Sequence, residues 1–159
     1  MHIHIIAIGK IREAYLREGI EIYRNRLSPR HRVAITDVPE ERLPEKCSDT
    51  EKQSAKEKEG IRLIAAAPQK TVIIALDPGG MMLSSDELSA SMAQWEIKGQ
   101  NTLSFFIGSP LGISSAVTTQ ADLVLSLSRM TFPHQLVRLI LIEQIYRADC
   151  IRRGIPYHK

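Results

Sequence analysis

Short apolar runs alternate with longer amphipathic segments along this chain. Five runs rich in Ile, Val, Leu and Phe predict β-strands: HIHIIAI (2–8), RVAITDV (32–38), TVIIAL (71–76), TLSFFI (102–107) and LVLSL (123–127). The remaining segments predict helices over 11–27, 48–67 and about 85–98, a short helix before the fifth strand, and a long final helix. Strands that alternate with helices predict an α/β fold, with a mainly parallel sheet and helices on both of its faces.

Several boundaries of these elements are marked by local sequence. Ser84 followed by Glu87 has the spacing of a capping box, which predicts the start of the third helix. Pro133 begins the final helix and Gly154 ends it. The tetrapeptide DPGG, residues 77–80, is typical of a loop and is expected to close the third strand.

Length and composition are those of an ordinary globular protein. The 159 residues predict a single domain, 1–159, and 43% hydrophobic with 25% charged residues is an average composition. Cys47 and Cys150 lack metal-ligand spacing, which predicts free thiols in a reducing compartment. The first ten residues lack the features of a signal peptide, and no apolar run approaches the ~18 residues of a membrane span. We therefore expect a cytoplasmic protein with no membrane partner.

The charge distribution says more than the net charge of +3. Residues 10–32 carry seven Lys or Arg against three acids, and residues 129–159 carry six against two. The rest of the chain has an acidic balance of −5. Two basic segments on an otherwise acidic chain favour a polyanion-binding face. The alternative for either segment is a solvated charged surface.

Three loops rich in Gly, Pro and small polar residues follow predicted strands: LDPGGMML, GSPLG and SLSRMTFPH. Ligands of open parallel sheets bind outside the carboxyl ends of the strands, so we expect these loops to form the site. The chain has neither a GxGxxG nor a GxxxxGK[ST] phosphate loop. His2 and His4 alternate on one strand, which favours a sheet face over a metal site, and no metal is expected.

The final helix is nearly apolar, yet it contains His134, Arg138, Glu143 and Arg147. Buried charge is unfavourable unless it is paired or used in chemistry. The helix is also apolar over more of its circumference than a one-sided surface helix needs, which favours a symmetric homodimer.

The chain resembles one known family through IGSPLGI (107–113), LSLSRMTFPHQLVRLILIEQIYRA (125–148) and the ending GIPYHK. The likeness extends through HIIAIGKI near the start, KEKEGIRLI and LSSDELS, and so covers the whole chain. This is the ribosomal RNA large-subunit methyltransferase H family of the SPOUT superfamily, which methylates N3 of pseudouridine 1915 in 23S rRNA. The resemblance implies the same activity here, with 23S rRNA in the large subunit or whole ribosome as the substrate.

The resemblance also implies a C-terminal trefoil knot, a homodimer with composite sites, and S-adenosylmethionine as the methyl donor. Sequence pattern does not predict the knot, since chains rarely thread their own loops. The implied donor-binding residues are Leu76, Gly108, Leu127, Ser128, Arg129, Met130, Thr131 and Phe132. Two positions depart from the family pattern: Ser109 replaces a second glycine, and Met81 replaces a common lysine. Ser109 puts in doubt any backbone there that needs a positive φ.

The chemistry of the implied reaction fits the final helix. An imide nitrogen is a poor nucleophile until its proton is lost and the anion is stabilised, which cationic donors promote. Arg138 and Arg147 are candidates for that role, with Glu143 orienting Arg147. His134 and His158 are candidates for proton transfer near neutral pH.

Two sets of alternatives remain open. Glu143 and Arg147 are also consistent with a helix-surface or interface salt bridge, and Arg138 likewise with a structural ion pair. His134 is also consistent with an ordinary first-turn residue. The tail RRGIPYHK predicts a short flexible end in which Tyr157 stacks on the target base and His158 meets RNA; the alternative is a frayed terminus.

A non-catalytic RNA-binding factor of the same fold would also explain the basic segments, and only donor binding separates it from an enzyme. A small-molecule α/β enzyme leaves those segments unexplained.

Overall fold

The computed structural model describes residues 1–157, which form an α/β fold of five strands and five helices. In chain order these are β1 (His2–Ile8), α1 (Ala14–Leu27), β2 (Arg32–Val38), α2 (Asp49–Ala66), β3 (Val72–Met82), α3 (Ser85–Ile97), β4 (Thr102–Ile107), α4 (Ser115–Gln120), β5 (Leu123–Ser126) and α5 (His134–Arg152). All strand pairs within the sheet are parallel, and the strand order is β2-β1-β4-β3-β5. The predicted fold class is confirmed.

Helix starts follow the local capping chemistry. Ser84 accepts a hydrogen bond from the Glu87 backbone N–H while the Glu87 carboxylate accepts from that of Ser84, so the predicted capping box is confirmed. Ser48 and Glu51 form a second box at the start of α2. Gly154, just past α5, has a φ of 63°, the left-handed conformation that commonly ends a helix.

The region of residues 77–80 differs from the prediction. Instead of ending at Leu76, β3 continues to Met82, and Leu76 and Met81 both pair with Leu125 of β5. The four intervening residues form a wide bulge between these two pairings. A Cβ atom on Gly80 would lie 2.6 Å from the Val124 carbonyl oxygen, so glycine is what permits β3 and β5 to approach here. The predicted loop is thus an interruption within a strand.

The core lies on both faces of the sheet because the central strands are apolar on both sides. In β1, Ile3 and Ile5 belong to the cluster under α1, α3 and α5, whereas Ile6 and Ile8 belong to the cluster that includes residues of α2 and α4. All four are at most 1% exposed. A parallel strand covered on both faces explains why its sequence is a continuous apolar run. No helix within residues 1–157 is long and apolar enough to cross a membrane.

Candidate functional site

A cavity of about 340 Å³ opens at the carboxyl ends of β3, β4 and β5. Its volume lies in the range of small-molecule sites. It is lined by Leu76, Asp77, Pro78, Ile107, Gly108, Ser109, Pro110, Gly112, Leu125, Leu127, Ser128, Met130, Thr131, Phe132, Pro133, His134 and Val137. The three segments LDPGGMML, GSPLG and SLSRMTFPH therefore meet in one place as expected, although the first contributes from the bulge within β3 and not from a loop after it. Parallel strands cause this convergence, since their carboxyl ends share one edge of the sheet.

The residues named as donor-binding candidates nearly all lie here. Leu76 lines the cavity from β3, just before the bulge at 77–80, and Gly108 lines it from the end of β4. The loop after β5 contributes Leu127, Ser128, Met130, Thr131 and Phe132. Arg129 is exposed and is not among the lining residues. Its side chain differs from its neighbours in direction, which sequence adjacency alone does not reveal.

The glycine loop after β4 is a tight turn. The Gly112 N–H donates to the Ser109 carbonyl oxygen at 2.9 Å, and Gly112 has a φ of 87°. A Cβ on Gly108 would lie 2.6 Å from the Gly112 carbonyl oxygen, so any side chain there would distort the turn itself. Within residues 1–157 only glycines have a positive φ, so Ser109 replaces the family's glycine without backbone strain.

His134 is the first residue of α5 and lines the cavity. Burial is the main cause that lowers the pKa of His134 below 6.5, and nearby Arg138 and Arg12 lower it further. The Glu40 carboxylate acts in the opposite direction. The imidazole is therefore neutral at pH 7 and has a free-base form available for proton transfer.

Arg138 does not present its charge to the cavity. The side chain is 1% exposed, and its guanidinium donates to the Asp37 carboxylate at 2.5 Å and to the carbonyl oxygens of Ile8 and Gly9 at 2.9 and 2.6 Å. These partners lie at the carboxyl ends of β1 and β2. The guanidinium thus fastens α5 to the sheet, and it is not among the residues that line the cavity.

Glu143, Arg147 and Tyr157 form a second cluster. Arg147 donates through Nε to the Glu143 carboxylate at 3.0 Å, and this bond is the main cause that raises the pKa of Arg147. Tyr157 donates its hydroxyl to the same carboxylate at 3.2 Å, and the Arg147 guanidinium lies 4.8 Å from its ring centroid. Burial, then the hydrogen bond with Tyr23, raises the pKa of Tyr157, which keeps its hydroxyl protonated.

The expectation of a free tail is wrong for Tyr157. Its ring packs edge-on against Tyr146 with centroids 4.9 Å apart, and its side chain is only partly exposed. His158 lies outside the described residues. The predicted catalytic set is therefore divided within one chain. Arg147 lies thirteen positions after His134 in α5, which is about 20 Å along the axis at ~1.5 Å per residue.

Sequence reasoning missed several residues around the cavity. Asp77 and Val137 line it, and their positions, directly after a strand and one helical turn after His134, were available signals. Asp37, the partner of Arg138, had no such signal because it lies 101 residues away in the chain. Within residues 1–157, no group of three or more His, Cys, Asp or Glu side chains is arranged to hold a metal ion.

A sequence model of the family described as "predicted SPOUT methyltransferase" matches residues 1–158, and the chain belongs to this family.

Full-length relatives carry a more particular name. The chain is 50% identical over 160 residues to ribosomal RNA large subunit methyltransferase H of Heliobacterium modesticaldum, covering 100% of this chain and 99% of that protein. It is 49% identical over 159 residues to the protein of the same name from Carboxydothermus hydrogenoformans, with 100% of both covered.

One solved structure with a similar chain path is the SpoU methyltransferase AviRb of Streptomyces viridochromogenes, in complex with the cofactor AdoMet. It is 14% identical, with a TM-score of 0.44, and the match covers 92% of this chain and 57% of that one.

Proposed function

We propose that this protein transfers a methyl group from S-adenosylmethionine to N3 of pseudouridine 1915 in 23S rRNA, in the large subunit or the whole ribosome. It acts in the cytoplasm as one domain with a C-terminal trefoil knot. The observation that carries the proposal is the cavity at the carboxyl ends of β3, β4 and β5, lined by seven of the eight residues that the family resemblance implies for donor binding. Relatives with about half of their residues identical bear the name of an rRNA large-subunit methyltransferase.

The residues present fit the donor. Leu76, Leu127 and Val137 offer apolar surface for an adenine ring, and the turn at Gly108 brings backbone close to the cavity without a side chain in between. Ser128 and Thr131, in the loop after β5, add hydroxyl groups to the cavity wall. A mostly apolar pocket with a few convergent polar groups is what a nucleoside ligand requires.

The bound donor would supply an electrophilic sulfonium methyl group, so the transfer itself requires only in-line approach of a nucleophilic nitrogen. His134, neutral and at the cavity wall, is placed to accept the N3 proton. Arg147 would stabilise the charge that develops on the uracil carbonyls, with its guanidinium oriented by Glu143. Tyr157 would stack on the base, and His158 would contact RNA.

Because about 20 Å of α5 separates His134 from Arg147, one chain does not bring these groups together. A homodimer in which Arg147 and Tyr157 of one subunit approach the cavity of the other would complete the site. Three exposed methionines beside the cavity loops support an apolar contact surface: Met81, Met82 and Met130 are 60%, 51% and 72% exposed. Light scattering should then give twice the 17.9 kDa chain mass.

Donor titration by calorimetry tests the pocket. Wild-type protein should bind S-adenosylmethionine equally with and without EDTA. Val137→Trp, which places an indole in the cavity from a rigid helix, should abolish binding, while Arg129→Ala should leave the affinity within about twofold, since its side chain is outside the cavity. Thermal melting of each variant separates loss of binding from loss of fold.

A second experiment tests the substrate. Ribosomes with pseudouridine or uridine at position 1915 are incubated with the protein and labelled donor, and mass spectrometry locates the methyl group. Methylation at N3 of the pseudouridine only is the expected result. Failure of the wild-type protein to bind the donor would instead favour the RNA-binding factor without catalysis.

A further inference from the structure

Glu59 is a buried carboxylate of α2 that takes no part in the proposed chemistry. It is 2% exposed, and it is not among the residues that line the cavity. Burial of a carboxylate is unfavourable unless hydrogen-bond donors replace the lost water. The identity of those donors therefore indicates what the residue does.

One donor comes from the glycine loop. Ser109 donates its hydroxyl to Glu59 Oε2 at 2.7 Å, and the Ser109 hydroxyl oxygen in turn accepts from the Leu111 N–H at 3.3 Å. Ser109 also supplies the carbonyl that closes the turn to Gly112. The same serine side chain thus joins the turn at the cavity wall to the helix behind it.

The other donor comes from the loop after β2. The Glu41 N–H donates to Glu59 Oε1 at 3.0 Å. Arg62, one turn further along α2, donates to the Pro39 carbonyl oxygen at 2.9 Å and also bonds the Glu41 carboxylate. Glu40, between these residues, is the carboxylate that acts on His134. A single glutamate therefore bridges the glycine loop, which lines the cavity, and the loop after β2, whose Glu40 acts on the cavity residue His134.

The helix that carries Glu59 is itself firmly placed. At Gly60 a Cβ atom would overlap the Ser114 hydroxyl at the start of α4, so α2 and α4 are in direct contact at this point. Leu63, one turn after Gly60, is 1% exposed in the core cluster on this face of the sheet. Glu59 consequently projects from a rigid support, which is what a positioning residue needs.

We propose that Glu59 is a positioning residue that holds the glycine loop and the loop after β2 in the geometry that binds the methyl donor, with Ser109 as its contact in the glycine loop. This inference rests on the proposed donor pocket and adds residues that do not touch the donor. It also gives the Ser109 hydroxyl a structural role. Here the hydroxyl supplies a tie to α2 that a glycine lacks.

The contact between Glu59 and Ser109 can be tested by substitution, because glutamine has the same shape as glutamate without its charge. In Glu59→Gln the amide oxygen still accepts from the Glu41 N–H, which can only donate, so the amide NH₂ faces Ser109 Oγ. The charge-assisted bond from the serine hydroxyl is lost, and a weaker neutral N–H···O bond to that oxygen takes its place. Hydrogen bonds to charged groups are the stronger kind, and we expect donor affinity to fall roughly tenfold or more. Ser109→Ala should weaken it by about three- to tenfold. The loss of affinity in the double variant should be smaller than the product of the two single losses, since both changes act on one link.

Two controls exclude a general effect. Glu57→Gln changes an exposed glutamate of the same helix, whose carboxylate accepts from Gln53, and should leave donor affinity unchanged. Asp149→Asn weakens a different buried carboxylate, paired with His31 at 3.0 Å and Arg153 at 2.8 Å near the far end of α5. It should lower the melting temperature while leaving donor affinity unchanged. If Asp149→Asn weakens donor binding as much as Glu59→Gln does, the positioning role is wrong.

A measurement without the donor separates this inference from the proposed function. Hydrogen exchange of the ligand-free protein should be faster at the Leu111 and Gly112 amides in Glu59→Gln than in wild type, and unchanged there in Asp149→Asn. If the wild-type protein binds no donor but this exchange pattern appears, the donor pocket fails and the loop tie survives. Unchanged exchange and unchanged donor affinity in Glu59→Gln would overturn the inference. The kcat at saturating donor should change less than the donor affinity, because Glu59 does not touch the reacting groups.

Discussion

The two ends of α5 use charged residues in opposite ways. At the start of the helix, Arg138 is 1% exposed and its guanidinium bonds Asp37 and two backbone carbonyls. Toward the other end, the Arg147 side chain is 24% exposed and pairs with a Glu143 side chain that is 17% exposed. The hydrogen bonds of Arg138 are all made to the protein interior, whereas Arg147 remains accessible to a partner or a substrate. The sequence alone does not show this difference, because both residues are arginines on the same largely apolar helix.

The difference has a physical origin in what each arginine faces. Arg138 lies over the carboxyl ends of β1 and β2. There the Ile8 and Gly9 carbonyl oxygens lie past the strand pairing and accept hydrogen bonds from the Arg138 guanidinium. Arg147 lies beside Tyr157 and the aromatic group of Tyr23 and Tyr146, which is a half-exposed surface. Partners at the first position are fixed by the sheet, while partners at the second are side chains that another molecule can replace.

The largest expected effect is on stability at Arg138. Arg138→Met leaves the Asp37 carboxylate and two carbonyl oxygens without their donor, which should lower the free energy of unfolding by about 2–4 kcal/mol. Arg147→Met breaks a partly exposed pair and should lower it by about 1 kcal/mol or less. Urea denaturation of both variants measures the contrast. Equal losses at the two positions would remove the distinction between the two ends.

The reverse order is expected for catalysis at Arg147. Arg147→Met should reduce methyl transfer by roughly a hundredfold, as expected when one donor to a developing negative charge is lost. Its donor affinity should stay near wild type, because the cavity in one chain does not include Arg147. Single-turnover methylation of ribosomes and calorimetry on the same preparation check this. A parallel loss of donor affinity would place Arg147 in the donor pocket.

His134, at the end of α5 that lines the cavity, predicts a pH dependence of the methyl-transfer rate. Its pKa in the folded protein lies below 6.5, so methyl transfer should fall as the pH drops below that value and the imidazole becomes charged. His134→Gln should lower the rate by about ten- to a hundredfold and abolish this acidic limb. A pH–rate profile of both proteins from pH 5 to about pH 8 provides the measurement. An unchanged acidic limb in His134→Gln would assign the proton transfer elsewhere.

The lowered pKa of His134 also makes the free energy of unfolding depend on pH. Because the pKa of His134 is lowered on folding, the unfolded chain binds the proton first as the pH falls. The contribution of His134 to stability is fully present above pH 6.5 and is lost as the pH falls through its lowered pKa. Comparing urea midpoints of wild type and His134→Gln across this window isolates the contribution.

The smallest effect is expected from the Tyr157 hydroxyl. Tyr157→Phe keeps the ring that contacts Arg147 and Tyr146 but removes the hydrogen bonds to Glu143 and Tyr23. If the ring acts by stacking on the base, methyl transfer should fall only about three- to tenfold, whereas Tyr157→Ala should cost roughly ten- to a hundredfold. Equal rates for the two variants would show that the hydroxyl, and not the ring, is what matters.

Sequence by itself determined the order and kind of the elements. Strand and helix periods, the Ser84 capping box and the glycine after α5 are set by interactions within a few residues, so they are visible in any short window. Alternation of strands and helices then dictates a parallel sheet, and a parallel sheet brings the loops after β3, β4 and β5 to one edge. This is why the segments that hold seven of the eight donor-site candidates implied by the family resemblance line one cavity.

The tertiary structure decided which side chains meet across long separations in the chain. The strand order β2-β1-β4-β3-β5, the bulge at 77–80, the burial of Arg138 by Asp37 and the tie from Glu59 to Ser109 all join segments far apart in sequence. Local pattern carries no information on such pairs, because each residue would look the same with a different partner.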